Sequence, residues 1–240
     1  MPLEPVRRRS TSDAVFDQLL DELLGGGIPP GSTLPAERAL TDELKVSRQA
    51  IREALQRLAQ AGLVDINHGG ATKALDYRRH GGLDLLPLLL ASPESPAPAV
   101  IRSVMEMRAC IGPDVARLCA ERATVAVVDR ITDLVAEMAA ETELPARAHL
   151  DLDLWDALVD GSDNVAYRLA YNSLRRTYEP LIPGVAPLIG DELNDTGARR
   201  ALAHQVSQGD GSAAARTARR LLAKGSAAIA ATLLEREDGG

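Results

Sequence analysis

The stretch Val46-Ser-Arg-Gln-Ala-Ile-Arg-Glu-Ala-Leu-Gln-Arg-Leu58 carries the helical period and the two-sided chemistry that decide the fold. Ser47 is a good N-cap, because its hydroxyl accepts from an orphan N–H of the first helical turn. Val46 and Ile51 fall at the two positions of a hydrophobic staple. At about 100° per residue, Ile51, Ala54, Leu55 and Leu58 share one arc, whereas Gln49, Arg52, Glu53 and Gln56 occupy the opposite one. Arg48 stands at the seam, at the very start. A helix buried on one side that shows two arginines and a glutamine in its first turns suits a DNA major groove, entered tip first. Taken alone, an amphipathic helix with solvated charges accounts for the pattern equally well, so its flanks decide.

Upstream, Arg7-Arg-Arg-Ser10 is a short basic arm, and Ser12 or Asp13 is expected to cap a helix carrying Val15, Phe16, Leu19, Leu20, Leu23 and Leu24. Gly25-Gly-Gly27 ends it. Ile28 to Pro35 reads as a stiff turn, with Pro35 suited to the first position of a helix running through Leu44. Helix, short turn and helix with these caps make a helix-turn-helix. After Gly62 the period becomes alternating: Leu63, Val64 and Ile66 form one strand and Thr72 to Leu75 another, with His68-Gly-Gly70 as the turn. A hairpin directly behind the second helix is a wing. It would bring His68 and Lys73 to the minor groove or to phosphates.

The 240-residue chain has 45% hydrophobic and 25% charged residues, a balance that leaves room for a buried core. Aromatics make up only 2% and alanine and leucine dominate, so helices are the expected material. Apolar runs fall short of a membrane span, no signal-peptide pattern opens the chain, and a cytoplasmic location is expected. Cys110 and Cys119 read as reduced core thiols. The net charge of −7 argues against a nucleic-acid partner until its placement is considered. Residues 1–75 hold 9 basic and 10 acidic side chains and the remainder 18 and 24, so the acidic excess lies mostly outside the head.

Residues 76–97 read as a linker with a short helix at Leu83 to Leu90 and a loop from Ser92 to Pro98. From there on the signals are only helical, and an antiparallel all-α bundle over 98–240 is expected. Its helices run through Val104 to Leu118 with a kink at Pro113, through Val128 to Met138, and through Leu150 to Leu158. A fourth starts at Asp163 or Asn164, a fifth covers about Asp191 to Gln208, and the last follows Gly211. The three domains are therefore a winged helix-turn-helix head at 1–75, the linker, and a second domain at 98–240.

Ile28-Pro-Pro-Gly-Ser-Thr-Leu-Pro-Ala-Glu-Arg38, Val46-Ser-Arg48, Ile51-Arg-Glu-Ala-Leu55 and Leu58-Ala-Gln-Ala-Gly-Leu63 together resemble the winged-helix domain of the GntR family of bacterial transcription regulators. His68-Gly-Gly-Ala-Thr-Lys73 and Gly82-Leu-Asp-Leu-Leu86 are similar to its fatty-acid-responsive FadR branch. The resemblance implies DNA contacts from Arg38, Ser47, Arg48, Arg52, His68 and Gly69, with Arg48 and Arg52 forking onto guanines. Gln49 and Ala50 stand where that branch has threonines, and Gly70 replaces a wing lysine. The second domain resembles the effector domains of the same subfamily through Met107 to Ala116, Gly161-Ser-Asp-Asn164 and Gly209-Asp210.

Many relatives hold a divalent metal there through an aspartate, a histidine four residues on, and two later histidines. The corresponding positions here are Asp151, Trp155 and a site near Arg199, and only His149 and His204 are present in the domain. His149 and Asp153 have i,i+4 spacing, but satisfied or surface histidines are the preferred reading and no metal or cofactor is expected. Replacement of the histidine by Trp155 favours an apolar tail pocket and a fatty acyl-CoA effector. The candidate contacts to that ligand are Arg108, Asp151, Trp155, Leu222 and Ser226, although Leu222 and Ala230 stand where the last helix of that branch carries aromatic contacts, with Ser226 as the only polar candidate. Nucleophile-elbow, Walker and dinucleotide motifs are missing, so an enzyme is not expected. The expectation is a homodimeric regulator that binds double-stranded DNA, with a small organic acid as the alternative effector and a non-DNA-binding scaffold as the remote one.

Overall fold

The computed structural model describes residues 10–67, 71–93 and 97–238. It divides into two compact units, Met1–Ala97 and Pro98–Gly240. The first unit begins with α1 (Thr11–Leu24), α2 (Glu37–Leu44) and α3 (Arg48–Gln60). A hairpin of β1 (Val64–Asp65) and β2 (Lys73–Ala74) follows, antiparallel, with Val64 opposite Ala74 and Asp65 opposite Lys73. Then come α4 (Tyr77–His80), a 3-10 turn at Leu83–Leu85, and α5 (Leu86–Ala91).

The core of this unit is a sandwich of α1 on α3. Val15, Phe16, Leu19, Leu20 and Leu23 meet the buried face of α3, where Ile51, Ala54, Leu55 and Leu58 are at most 2% exposed. Each of the three large α3 side chains contributes about 1.5–3 kcal/mol by burial. The Arg57 guanidinium lies 4.1 Å above the Phe16 ring and donates to Asp13 Oδ1 at 2.7 Å, clamping the two helices from outside.

Three local expectations change. The cap of α1 is Ser10, not Ser12 or Asp13; Asp13 instead completes a capping box, its carboxylate accepting from the Ser10 N–H. The Ser10 hydroxyl and then Arg57 hold the Asp13 carboxyl below its ordinary range. Pro35 does not open α2, which begins at Glu37 behind Ala36. The preceding residues are drawn onto the wing: Leu34 N–H donates to Thr72 O, Gly31 N–H to Ala74 O, and Ala74 N–H to Ser32 O. The supposed stiff turn is thus an extended third edge of the hairpin.

Residues 76–92 fold onto the same head. Gly62 has φ +73°, and a Cβ there would sit 2.5 Å from the His80 carbonyl oxygen, so only glycine permits that approach. Leu85 and Leu89 are buried, and the Ser92 hydroxyl donates to Asp21 Oδ1 at 2.6 Å.

The second unit comprises α6 (Ala97–Arg122), α7 (Val125–Ala140), α8 (Leu144–Gly161), α9 (Val165–Tyr178), a 3-10 turn at Glu179–Leu181, α10 (Ile182–Val185), α11 (Gly190–Leu193), α12 (Thr196–Ser207) and α13 (Gly211–Asp238). Pro113 lies inside α6 without ending it. The helix expected over Asp191 to Gln208 is two, because Asp195 caps a fresh start by accepting from the Ala198 N–H. Asn164 caps α9. One apolar cluster gathers Cys119, Ile131, Met138, Leu154, Trp155, Leu158, Leu202 and Leu222; a second gathers Ala148, Ile182, Ile189, Leu193 and Ile229. No helix among the described residues is long and apolar enough to cross a membrane.

The two cysteines differ, which corrects the reading of both as core thiols: Cys110 is exposed on α6 and Cys119 is buried. Burial pushes the Cys119 thiol up to about 12, so it stays protonated near neutral pH. A thiol reagent is expected to modify one cysteine in the native protein, Cys110, and the second only after denaturation. Mass spectrometry of the native product checks this; double labelling would contradict the packing.

Candidate nucleic-acid interface and effector site

The start of α3 projects from the head as its sequence requires. Ser47 caps the helix by accepting from the Ala50 N–H at 3.2 Å, and its hydroxyl hydrogen remains free to donate to an anion. Ala50 and Ile51 turn inward, leaving Arg48, Gln49 and Arg52 exposed. Arg48 pairs with no carboxylate among the described residues. Gln49 Nε2 donates to Glu53 Oε1 at 3.0 Å. Arg52 Nε lies 3.3 Å from Glu37 Oε2 on α2, in an ion pair whose arginine is 70% exposed. An exposed pair of this kind is worth less than about 1 kcal/mol, so Glu37 leaves the Arg52 guanidinium available to another partner. Glu37 was not legible as a partner in the sequence, because fifteen residues and a turn separate the two.

Arg38 is exposed in the first turn of α2, and Lys73 is exposed on β2 opposite Asp65. His68 and Gly69 lie outside the described residues. Among those described, the exposed cations Arg38, Arg48 and Lys73 belong to the two helices and the hairpin that a groove-reading head presents.

The second unit buries a different constellation. Arg199 is fully buried, and its Nε and Nη2 donate to Asp151 Oδ1 at 3.1 and 2.7 Å. Its Nη1 donates to the Glu192 carbonyl, closing the end of α11. Arg108 grips the Glu192 carboxylate with both terminal nitrogens, Nη1 to Oε2 at 3.1 Å. The fully buried Glu192 also accepts from the Gly225 N–H of α13 at 3.1 Å, and a Cβ on Gly225 would sit 2.1 Å from Glu192 Oε2. Burial opposes the charge on Arg108, but the adjacent Glu192 more than offsets it and holds the guanidinium above its ordinary range. Trp155 Nε1 and Tyr178 OH are buried without a hydrogen-bond partner among the described residues, and burial pushes the Tyr178 phenol up.

Of the residues expected at an effector, Trp155 and Leu222 come together in the packed core, both reaching Gly112 of α6. Ser226 donates to the Leu222 carbonyl within α13. Asp151 is engaged by Arg199 and Arg108 by Glu192. Glu192 was missed in the sequence, since it lies 84 residues from Arg108 and no local signal marks it. The residues at the metal positions of relatives do not suit a metal. Arg199 is a cation that already takes Asp151, and Trp155 carries no ligating lone pair.

An exposed cationic helix tip, backed by a buried face and followed by a hairpin, defines a winged helix-turn-helix DNA-binding protein. Residues 11–73 match the family described as bacterial regulatory proteins, gntR family, and residues 103–224 match the FCD domain. The chain is 38% identical over 234 residues to the HTH-type transcriptional regulator Mce2R of Mycobacterium tuberculosis, covering 98% of each. It is 30% identical to the fatty acid metabolism regulator protein of Edwardsiella ictaluri, covering 72% of this chain and 71% of that one. A solved GntR family regulator from Pseudomonas syringae pv. tomato shares the fold at 15% identity, with a TM-score of 0.50 over 95% of this chain and 88% of that one. The chain belongs to the GntR family of bacterial regulatory proteins and carries an FCD domain; it is a transcription regulator, not an enzyme.

Removing one member of the buried Arg199–Asp151 pair strands a charge. Asp151→Ala is expected to cost about 3–5 kcal/mol, whereas Asp151→Leu combined with Arg199→Met returns most of it. Denaturant unfolding of both variants checks this. Equal losses in the two would show that the pair does not act as a unit.

Proposed function

We propose that this regulator binds a short two-fold operator as a homodimer, that Arg48 and Arg52 face guanines in each half-site, and that a fatty acyl-CoA held by the helical unit controls release. The observation that carries the DNA part is the tip of α3, where both guanidinium groups stay exposed while the opposite face is sealed against α1. A guanidinium fork matches guanine O6 and N7 in the major groove. Two-fold pairing of such heads would place two tips one helical turn apart. Control of fatty-acid or lipid metabolism is supported by the names of relatives at 30% identity. The apolar surroundings of Trp155 and Leu222 suit an acyl tail, which would enter by opening a core that is closed in this structure.

One observation favours a small organic acid instead: the Arg108 fork already holds a carboxylate, that of Glu192. Either effector would act by preferring one spacing of the two heads, and only differential affinity for the two states can shift that balance.

The test is binding to the DNA upstream of the regulator's own gene, with and without oleoyl-CoA. Arg52→Ala is expected to lose about 1–3 kcal/mol and to relax preference at one base pair. Oleoyl-CoA is expected to weaken operator binding about 5–150-fold. Unchanged base preference in the variant would remove Arg52 from the readers. No effect of oleoyl-CoA, with release by a short carboxylic acid, would select the second effector class.

A further inference from the structure

Lys45 ends α2 in the left-handed region, at φ 53° and ψ 42°. For a side chain with a Cβ that conformation is strained, and glycine or asparagine is the usual occupant of a helix-ending position of this kind. Among the described residues the other non-glycine with positive φ is Asp163, a residue type that tolerates it through local hydrogen bonding. Lysine has no such means. Lys45 is exposed, and no carboxylate among the described residues pairs with it, although Asp42 and Glu43 stand three and two residues before it. No side-chain partner among the described residues therefore accounts for a charged residue in this conformation.

Its position does. Lys45 lies three residues before Arg48, and three residues of chain span at most about 10–11 Å. The major groove is about 12 Å wide. When the tip of α3 enters the groove, the chain leading to it must cross the phosphate rim within that distance, and Lys45 is the cation on that path. We propose that Lys45 is a backbone-phosphate anchor that sets the depth and angle at which Arg48 and Arg52 enter, a lysine kept for its charge at a position whose conformation favours glycine or asparagine. The proposal rests on the DNA-binding reading of the head and adds to it a residue outside the base-reading set. A competing account places the lysine there for the α2 carbonyl end, where positive charge is favourable; it makes the opposite prediction for stability.

The experiment compares the full chain with Lys45→Gly, Lys45→Asn and Lys45→Arg, reading thermal unfolding and the salt dependence of binding to a short mixed-sequence duplex. Lys45→Gly and Lys45→Asn should unfold at the parent midpoint or a few degrees above it. Their duplex affinity should fall several-fold, with the slope of log K against log salt shallower by about 0.9 per bound head. Lys45→Arg should keep the parent slope. Parent-like affinity and slope in the glycine and asparagine variants would overturn the proposal. So would a lowered midpoint with an unchanged slope, which would assign the lysine to the helix end. If the parent itself bound no duplex, the DNA-binding reading would fall first, and the anchor with it.

Discussion

The seal between α1 and one side of α3 is the constraint on which the head depends. Ile51, Leu55 and Leu58 have nowhere else to go once Phe16, Leu19 and Leu20 cover them, so the rotation of α3 about its own axis is fixed. Arg48, Gln49 and Arg52 face outward because their neighbours face inward. The Arg57 clamp over Phe16 and the Ser47 cap refine that arrangement rather than create it. A reader made this way pays its ordering cost on folding, and little is left to order when DNA arrives.

The second unit is organised by buried charge. Two arginines and two carboxylates, Arg108 with Glu192 and Arg199 with Asp151, tie α6, α8, α11, α12 and α13 together through groups of which all but the half-buried Arg108 are buried. Such pairs contribute little net stability relative to apolar side chains, but losing one partner is costly. They therefore hold a particular helix arrangement, one that a ligand competing for Arg108 would disturb. The short α11, whose end is closed by Arg199 and whose Glu192 reaches α13, lies at the junction of both pairs.

The head was legible in the sequence because its signals are local. The three-and-four spacing from Ile51 to Leu58, the Ser47 cap and the glycines after the first helix each speak within a turn or two. The errors came where a distant strand or a crowded cap decided. Pro35 does not begin α2 because Thr72 and Ala74 capture the residues before it, and Ser10 outcompetes Ser12 because Asp13 is three residues on. In the second unit the helices were legible from period, and the break at Asp195 was not, because it depends on a cap. The pairing of Arg199 with Asp151 and of Arg108 with Glu192 spans 48 and 84 residues, beyond any local pattern.

Folding of residues 76–92 onto the head makes the DNA-reading part larger than the winged helix alone. Gly62 against His80 and Ser92 against Asp21 fasten that segment beside α1 and the end of α3. The central claim remains that two exposed guanidinium groups on α3 read bases. Selection of bound duplexes from a random-sequence pool by the full chain tests it most directly. The account predicts enrichment of a two-fold site with guanines at fixed positions in each half; a bound pool without sequence preference would contradict it.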